Sequence, residues 1–240
     1  MMTRYITVAS DTCFRPAYEN TDWQELELHL EEQDTRCDGW KRLVELVETT
    51  VDEGYEVLNP RAVIDWDDLE RVVTLPKSIG KLKSLKGLDL YASRLSRLPP
   101  EIGDMQALEI FDPYTSMRLH WMPYEITRCK RLKRSRVSTR TLYGNYKFRP
   151  PFPRLPVMDE RVIPPVCSVC RRPFKPEGPL QVWISLWVGT DVLPLLVNAC
   201  SQTCIDNLPE AAPGYVPGPH MGGLDLAQPD PGFVSRSSST

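Results

Sequence analysis

Histidine and ready-made catalytic motifs are scarce in this chain of 240 residues, and that scarcity argues against an enzyme. There are only three histidines. Cys129 follows His120 by nine positions, but its register with the apolar residues Leu82 and Met105 places it in the core and not in a Cys–His dyad. No phosphate-binding Gly-x-x-x-x-Gly-Lys loop occurs. The sequence therefore predicts a protein that is not an enzyme.

Long apolar runs and an excess of basic charge are also missing. The most apolar stretch, 180–199, is interrupted by Gln181, Asp191 and Asn198, so no membrane span is predicted. Residues 5–9 are too short for the core of an export signal. Lys and Arg total 29 against 32 Asp and Glu, which excludes a uniformly basic nucleic-acid binder. With seven cysteines and no export signal we expect a cytoplasmic protein, in which cysteine pairs more often bind metal.

Charge and proline are distributed unevenly along the chain. Residues 19–70 contain 17 acidic and 4 basic residues, whereas residues 126–158 contain ten Lys or Arg and no acid. Sixteen of the 23 prolines lie at or after position 150. These shifts predict four segments: an N-terminal cap (1–60), a repeat region (61–153), a small module (154–208) and a flexible proline-rich tail (209–240).

The acidic first segment contains one amphipathic helix. Its apolar residues recur at helical spacing: Trp40, Leu43, Val44, Val47 and Val51. Gly54 is placed to end the helix. One apolar stripe with an acidic back predicts a helical cap that covers an open core. A short strand is also expected at residues 4–9.

A repeated motif in the middle of the chain is the strongest signal of architecture. Leu75-Pro-x-x-Ile79 recurs at 98–102, an offset of 23, and in a looser form at 122–126, an offset of 24. Between these blocks the pattern Leu-x-x-Leu-x-Leu begins at Leu85. This period and pattern resemble the leucine-rich repeat, in which short strands stack and share their leucines in one core.

The resemblance can be narrowed to a type of leucine-rich repeat protein. The run 75–119 resembles the small bacterial members, and 114–153 resembles the extension seen in short cytoplasmic members. The likeness covers roughly 64–153. It implies a solenoid that holds another macromolecule and does not catalyse a reaction.

Outward-facing strand residues predict a protein-binding face. By register they form two columns, one of Asp89, Asp112 and Arg136 and the next of Tyr91, Tyr114 and Ser138. Stacked tyrosines offer the rigid aromatic area that is typical of binding hot spots. Two alternatives stay open: a plain solvated sheet face, or a face covered by the segment 150–165.

Four cysteines near the C-terminus have metal-site spacing. Cys167-x2-Cys170 and Cys200-x3-Cys204 flank a segment whose pattern predicts a β-hairpin turning at 189–191. Four thiolates complete the closed tetrahedral site of structural zinc and leave no position for a catalytic water. A knuckle, a hairpin and ligands at a helix start resemble a treble-clef-like zinc fold, although x3 departs from the commoner x2. Two disulfides, or four unrelated core cysteines, are the alternatives.

Together these features predict an α/β protein with a helical cap, a short leucine-rich repeat solenoid and a small treble-clef-like zinc module. The whole resembles a short bacterial leucine-rich repeat protein with a C-terminal four-cysteine module. The predicted function is a non-catalytic protein-binding or scaffold protein with structural zinc and an unidentified protein partner. The alternative is a nucleic-acid-associated zinc protein that uses the basic stretch 128–149. The same charges also fit a solvated face or pairing with the acidic front.

Overall fold

A computed structural model describes residues 23–229, and the strand expected at 4–9 lies outside them. The described residues form a mixed α/β fold with one all-parallel sheet and one mixed sheet. The strands are β1 (Val57–Leu58), β2 (Gly87–Asp89), β3 (Ile110–Asp112), β4 (Met122–Pro123), β5 (Arg134–Ser135), β6 (Leu180–Val188) and β7 (Asp191–Ala199). The α-helices are α1 (Asp38–Asp52), α2 (Trp66–Leu69) and α3 (Gln202–Asp206). No helix among residues 23–229 is long and apolar enough to cross a membrane.

The parallel sheet has the strand order β1-β2-β3-β5 and repeats the offsets of the sequence motif. Gly87 pairs with Ile110, and Ile110 pairs in turn with Arg134, so consecutive coils stack in the register that the motif predicts. Between strands the chain returns through 3-10 helices, which span Lys77–Lys81, Pro100–Asp104 and Tyr124–Arg128 in the three motif copies. Each begins after a proline with extended backbone, because the pyrrolidine ring fixes φ near the value required there.

The leucines of the repeated pattern form the core between the strands and the 3-10 helices. Leu85, Leu88, Leu108 and Phe111 are all fully buried, as their spacing predicts. In the parallel sheet, successive side chains point alternately toward the core and toward the open face. Side chains on one face are therefore aligned with the corresponding side chains of the neighbouring strand. Next to them, the Ser116 hydroxyl donates to the Leu90 carbonyl at 3.0 Å. The same carbonyl also accepts the Ser93 N–H at 3.1 Å, so both of its lone pairs are used.

Helix α1 lies against the first end of this core, as the amphipathic pattern predicts. Leu43 and Val47 are buried and belong to the same hydrophobic cluster as the repeat leucines. At Gly39 a Cβ atom would lie 2.0 Å from the Asp68 carbonyl oxygen, so the close approach of α1 to this segment requires glycine. The chain leaves the helix through Gly54, which has a φ of +66°.

The hairpin of β6 and β7 is joined to the repeats and has no separate core. Strand β7 pairs with β6 on one side and, in parallel, with β4 on the other, where Met122 is opposite Leu195. One hydrophobic cluster runs from Leu43 in α1 through the repeat leucines to Ile205 in α3. The segment predicted as a small module at 154–208 therefore completes the core that begins in the repeats.

The tip of the hairpin lies against the outer edge of β5. Thr190 Oγ1 accepts the Ser135 N–H at 3.2 Å and donates to the Ser135 carbonyl at 2.5 Å. The Ser135 hydroxyl donates to the Val188 carbonyl at 2.7 Å and lies 2.8 Å from Asp191 Oδ2. Both edge groups of Ser135 are therefore satisfied by the hairpin.

A second, aromatic cluster covers the other face of the hairpin. Trp183, Tyr143 and Phe152 are fully buried there, and the Trp183 and Phe152 ring centroids lie 5.7 Å apart. Trp183 Nε1 donates to the Pro153 carbonyl at 2.9 Å. The proline-rich segment after residue 150 thus packs its apolar side chains against the hairpin.

The described part of the tail, 209–229, differs from the flexible segment that its composition predicts. His220 and Trp183 exchange two backbone hydrogen bonds, and the Ala212 N–H donates to the Ser185 carbonyl at 2.9 Å. Val216 is buried in the aromatic cluster. The edge of β6 supplies these hydrogen-bond partners, which composition does not reveal. Residues 230–240 lie outside the described part.

Candidate metal centre and exposed sheet face

The four predicted metal ligands come together at the base of the hairpin. Cys167 and Cys170 lie in a tight turn before β6, Cys200 follows the last residue of β7, and Cys204 lies in α3. Their four sulfur atoms all lie within 4.8 Å of one another. Helix α3 begins after Ser201, whose side chain makes no capping hydrogen bond.

The sulfur positions fit one tetrahedral ion. With Zn–S bonds of about 2.3 Å, a tetrahedral site separates its sulfurs by ~3.8 Å. Cys170 Sγ lies 3.4 Å from Cys200 Sγ, and Cys200 Sγ lies 3.7 Å from Cys204 Sγ. The described cysteines, including these four, are free thiols. The cluster can therefore hold a metal ion, and its soft donors are those that zinc accepts.

The surroundings of the cluster favour negative charge on sulfur. Two backbone N–H groups, of Cys170 and Cys200, point at Cys167 Sγ from 3.5 and 3.3 Å. The backbone N–H of Arg172 lowers the pKa of the Cys170 thiol to about 6. The hydrogen bond between Cys200 and Cys170 raises the pKa of the Cys200 thiol to about 12. Burial raises the pKa of the Cys204 thiol. The thiolate of Cys170 forms readily, whereas thiolates at Cys200 and Cys204 are disfavoured unless a cation is bound.

The predicted recognition residues lie together on the open side of the parallel sheet. Tyr91 and Tyr114 are exposed by 39 and 41 %, with ring centroids 6.2 Å apart. Asp89 and Asp112 each accept the N–H of the residue two positions later, at 3.0 and 3.1 Å. We call this surface the tyrosine face. The segment after Pro150 packs on the hairpin, and the two tyrosines are left exposed to solvent.

Arg136 and Ser138, the remaining predicted residues, also belong to this face. The Arg136 guanidinium lies 4.7 Å from the Tyr114 ring centroid and pairs with Asp112 at 3.4 Å. Ser138 Oγ accepts the Thr115 N–H at 2.8 Å, so this serine supports the backbone beside Tyr114. Ser138 is therefore committed to a structural hydrogen bond.

Two further residues of the tyrosine face were missed from the sequence. Arg61 lies 5.3 Å from the Tyr91 ring centroid and 4.9 Å from that of Trp66. Both residues follow β1, in which Val57 pairs with Gly87. No local signal marked these residues, because β1 and β2 are further apart in the chain than the repeat period and the motif does not extend to β1.

Much of the basic stretch 128–149 is engaged by neighbouring groups. Lys133 pairs with Glu109 at 2.9 Å, and Arg128 donates to the Ser168 carbonyl at 2.7 Å. The acids of the front segment pair with arginines that lie outside the basic stretch. These pairs are Asp34 with Arg71, Glu25 with Arg154 and Glu31 with Arg118. The contacts of Lys133 and Arg128 favour a structural role for those parts of the stretch.

His120 and Cys129 occupy separate structural positions. Cys129 Sγ donates to the Ile102 carbonyl at 3.2 Å, and burial raises the pKa of this thiol to about 12. His120 Nδ1 lies 2.6 Å from the Thr141 carbonyl oxygen. Each side chain has a backbone partner of its own, as expected for core residues.

Comparison with known proteins adds no family to these observations. The geometry of the cysteine cluster and of the tyrosine face is therefore the basis for a function. No protein-family model matches the chain, and no curated protein matches it significantly.

Proposed function

We propose that this chain is a non-catalytic protein-binding or scaffold protein, in which a short leucine-rich repeat solenoid holds a protein partner. Parallel strands that pair at the offsets of the sequence motif, with buried leucines between them, support the solenoid. We further propose that the four thiols hold structural zinc in a treble-clef-like module. The order of knuckle, hairpin and short helix supports this assignment, and four protein ligands leave no position for a reacting water.

The exposed tyrosine pair is the observation that carries the proposal. Large aromatic side chains left partly exposed on a sheet face forgo part of the roughly 1.5–3 kcal/mol that full burial of a large apolar side chain contributes. Tyr91 and Tyr114 are held in place by Arg61 and Arg136, which lie over their rings. A rigid aromatic surface of this kind loses little conformational entropy when it binds a partner.

The test is recovery of cellular protein partners by the immobilised full-length chain. We expect Tyr91→Ala/Tyr114→Ala to lose the specific partners that the wild type retains. Tyr146→Ala is the matched control, because Tyr146 is 49 % exposed and lies outside the tyrosine face. Equal recovery by the double variant and the wild type would contradict the proposed recognition surface.

A further inference from the structure

The tyrosine face has a small cationic notch at its β1 end. The notch has a volume of about 30 Å³ and is lined by Arg61, Arg94, Trp66 and Tyr91 above an apolar wall. A cavity of that volume accepts one small group, since a single water needs about 10–15 Å³ on the same scale. The notch therefore fits the end of one side chain.

Both arginines of the notch lack an acidic partner within residues 23–229. Arg61 contacts the Tyr91 carbonyl at 3.4 Å and the two aromatic rings. The Arg94 Nε atom is buried without a hydrogen-bond partner among the described residues. A buried guanidinium N–H that has no acceptor is destabilising, so a ligand that supplies one gains more than at an exposed site.

The carboxylates of the face do not supply that acceptor. Asp89 accepts from the Asn59 amide at 2.9 Å and from the Tyr91 N–H. Asp112 accepts from the Tyr114 N–H and pairs with Arg136. All four of these carboxylate oxygens have partners. The guanidiniums of Arg61 and Arg94 lack an acidic partner among the described residues, and guanidiniums bind anions.

The opposite end of the face, at β5, carries a second pair of cations. Arg134 and Arg136 flank Ser135 and are both exposed. The guanidiniums of Arg61 and Arg136 lie 5.3 and 5.9 Å from the same Tyr91 ring centroid, so they are at most ~11 Å apart. An extended peptide rises about 3.4 Å per residue, so roughly three residues cover that distance.

We propose that the tyrosine face binds an extended acidic peptide that crosses the strands of the parallel sheet. One Asp or Glu carboxylate enters the notch at Arg61 and Arg94. A second carboxylate, two or three positions along the peptide, meets Arg136 beside Arg134, and an apolar side chain between them contacts the exposed part of Tyr91. This inference rests on the proposed function, because it specifies the partner of that same face.

The arrangement of the rings favours a peptide over a nucleic acid. Bases bind to protein by stacking on open aromatic faces. Here guanidinium groups already lie over both rings, with Arg61 at Tyr91 and Arg136 at Tyr114. Two carboxylates also lie between the cationic ends, at Asp89 and Asp112, where they would repel a continuous phosphate backbone.

The test begins with selection from a random-peptide display library against the immobilised full-length chain. We expect enriched peptides to carry two Asp or Glu residues two or three positions apart, with an apolar residue between. The best peptide is then labelled with fluorescein, and its affinity is measured by anisotropy. Replacing both of its acids by Asn or Gln should weaken binding by at least about tenfold, the scale of one charge-assisted hydrogen bond.

Protein variants locate the contact. Arg61→Gln should weaken the selected peptide by about tenfold, whereas Lys81→Gln should leave affinity within about twofold, because Lys81 is exposed in a 3-10 helix away from the face. The acid-free peptide alters no protein residue and keeps the test valid if a variant misfolds.

Peptides that depend on Tyr91 and Tyr114 but show no acidic preference would overturn this inference and leave the proposed function standing. No enriched peptide, or peptides insensitive to the tyrosines, would overturn both. A labelled single-stranded oligonucleotide that displaces the peptide through Arg61 would assign the face to nucleic acid instead.

Discussion

Single residues set the chemistry of the cysteine cluster. The Arg172 N–H stabilises one thiolate, at Cys170, while the thiols of Cys200 and Cys204 are held protonated without a cation. Metal binding must therefore release protons, and the affinity for metal must fall as the pH falls. This follows from the donor set alone and is independent of the partner that the protein binds.

Replacing one cysteine should show whether the four sulfurs form a single zinc site. We expect the chain purified under reducing conditions to contain one zinc ion per molecule by elemental analysis. Cys170→Ser should weaken zinc affinity by more than ~100-fold, because a lost ligand costs more than the ~10–100-fold of an outer-shell change. Cys37→Ser is the matched control, since Cys37 is a free thiol outside the cluster. Equal zinc content in the two variants would contradict a four-sulfur site.

Buried histidine makes the folded chain sensitive to acid. Burial lowers the pKa of His120 to about 4, and the charges of His29 and Arg118 add to the effect. Unfolded histidine binds a proton below about pH 6.5, whereas folded His120 does not until about pH 4. The unfolded state therefore gains protons first, and stability falls between about pH 6.5 and 4 by up to about 3 kcal/mol.

The measurement compares urea unfolding of the wild type and His120→Asn at pH 7.5 and pH 5. Asparagine keeps a donor for the Thr141 carbonyl but does not titrate. The variant should lose less stability than the wild type over this interval. Acid release of metal affects both chains equally and cancels in the difference. An identical loss in both chains would show that His120 is not the sensitive group.

At the scale of elements, the contact between the hairpin tip and β5 is a small network with two hydroxyl groups at its centre. Ser135→Ala should destabilise the chain by about 1–3 kcal/mol, because the Val188 carbonyl loses a donor and the Thr190 N–H loses an acceptor. Thr190→Val should have a similar effect. The two changes share partners, so their combined effect in urea unfolding should be less than the sum. Ser84→Ala, at an exposed position, is the control, and full additivity would contradict a shared network.

The sequence predicts some of these elements better than others, for physical reasons. Residues Leu85 to Phe111 were predictable because their spacing carries the periodicity of stacked strands. The four cysteines were predictable because ligand spacing is local. Arg61 and Trp66 were not, since the pairing of β1 with β2 lies outside the repeat period. The pairing of β4 with β7 was also missed, because contacts between segments far apart in the chain leave no local pattern.

At the scale of the whole molecule, the shared core joins the repeats to the cysteine cluster. The cluster of buried apolar side chains includes Leu88 and Phe111 together with Cys167 and Cys204. Disorder at the base of the hairpin therefore removes contacts from the repeats as well. This continuity joins the segment 154–208, which the sequence predicts as a small module, to the repeat region.

Metal removal should consequently destabilise the entire chain. We expect a zinc chelator to shift one cooperative unfolding transition to lower temperature, with circular dichroism and tryptophan fluorescence changing together. The physical reason is that repeats and hairpin have no separate cores to unfold independently. A calcium-selective chelator at the same concentration is the control. Two separate transitions, with only the tryptophan signal moved by the zinc chelator, would contradict the shared core.

The position of Thr190 on Ser135 also limits how this architecture grows. In a stacked array, a further coil is added by pairing with the last free strand edge, and here both edge groups of Ser135 are already bonded. Duplication of a coil behind β5 would have to displace the hairpin, and with it the sulfur cluster. Additional coils are therefore compatible with the fold only before β5 in the chain. The hairpin fixes the C-terminal end of the array.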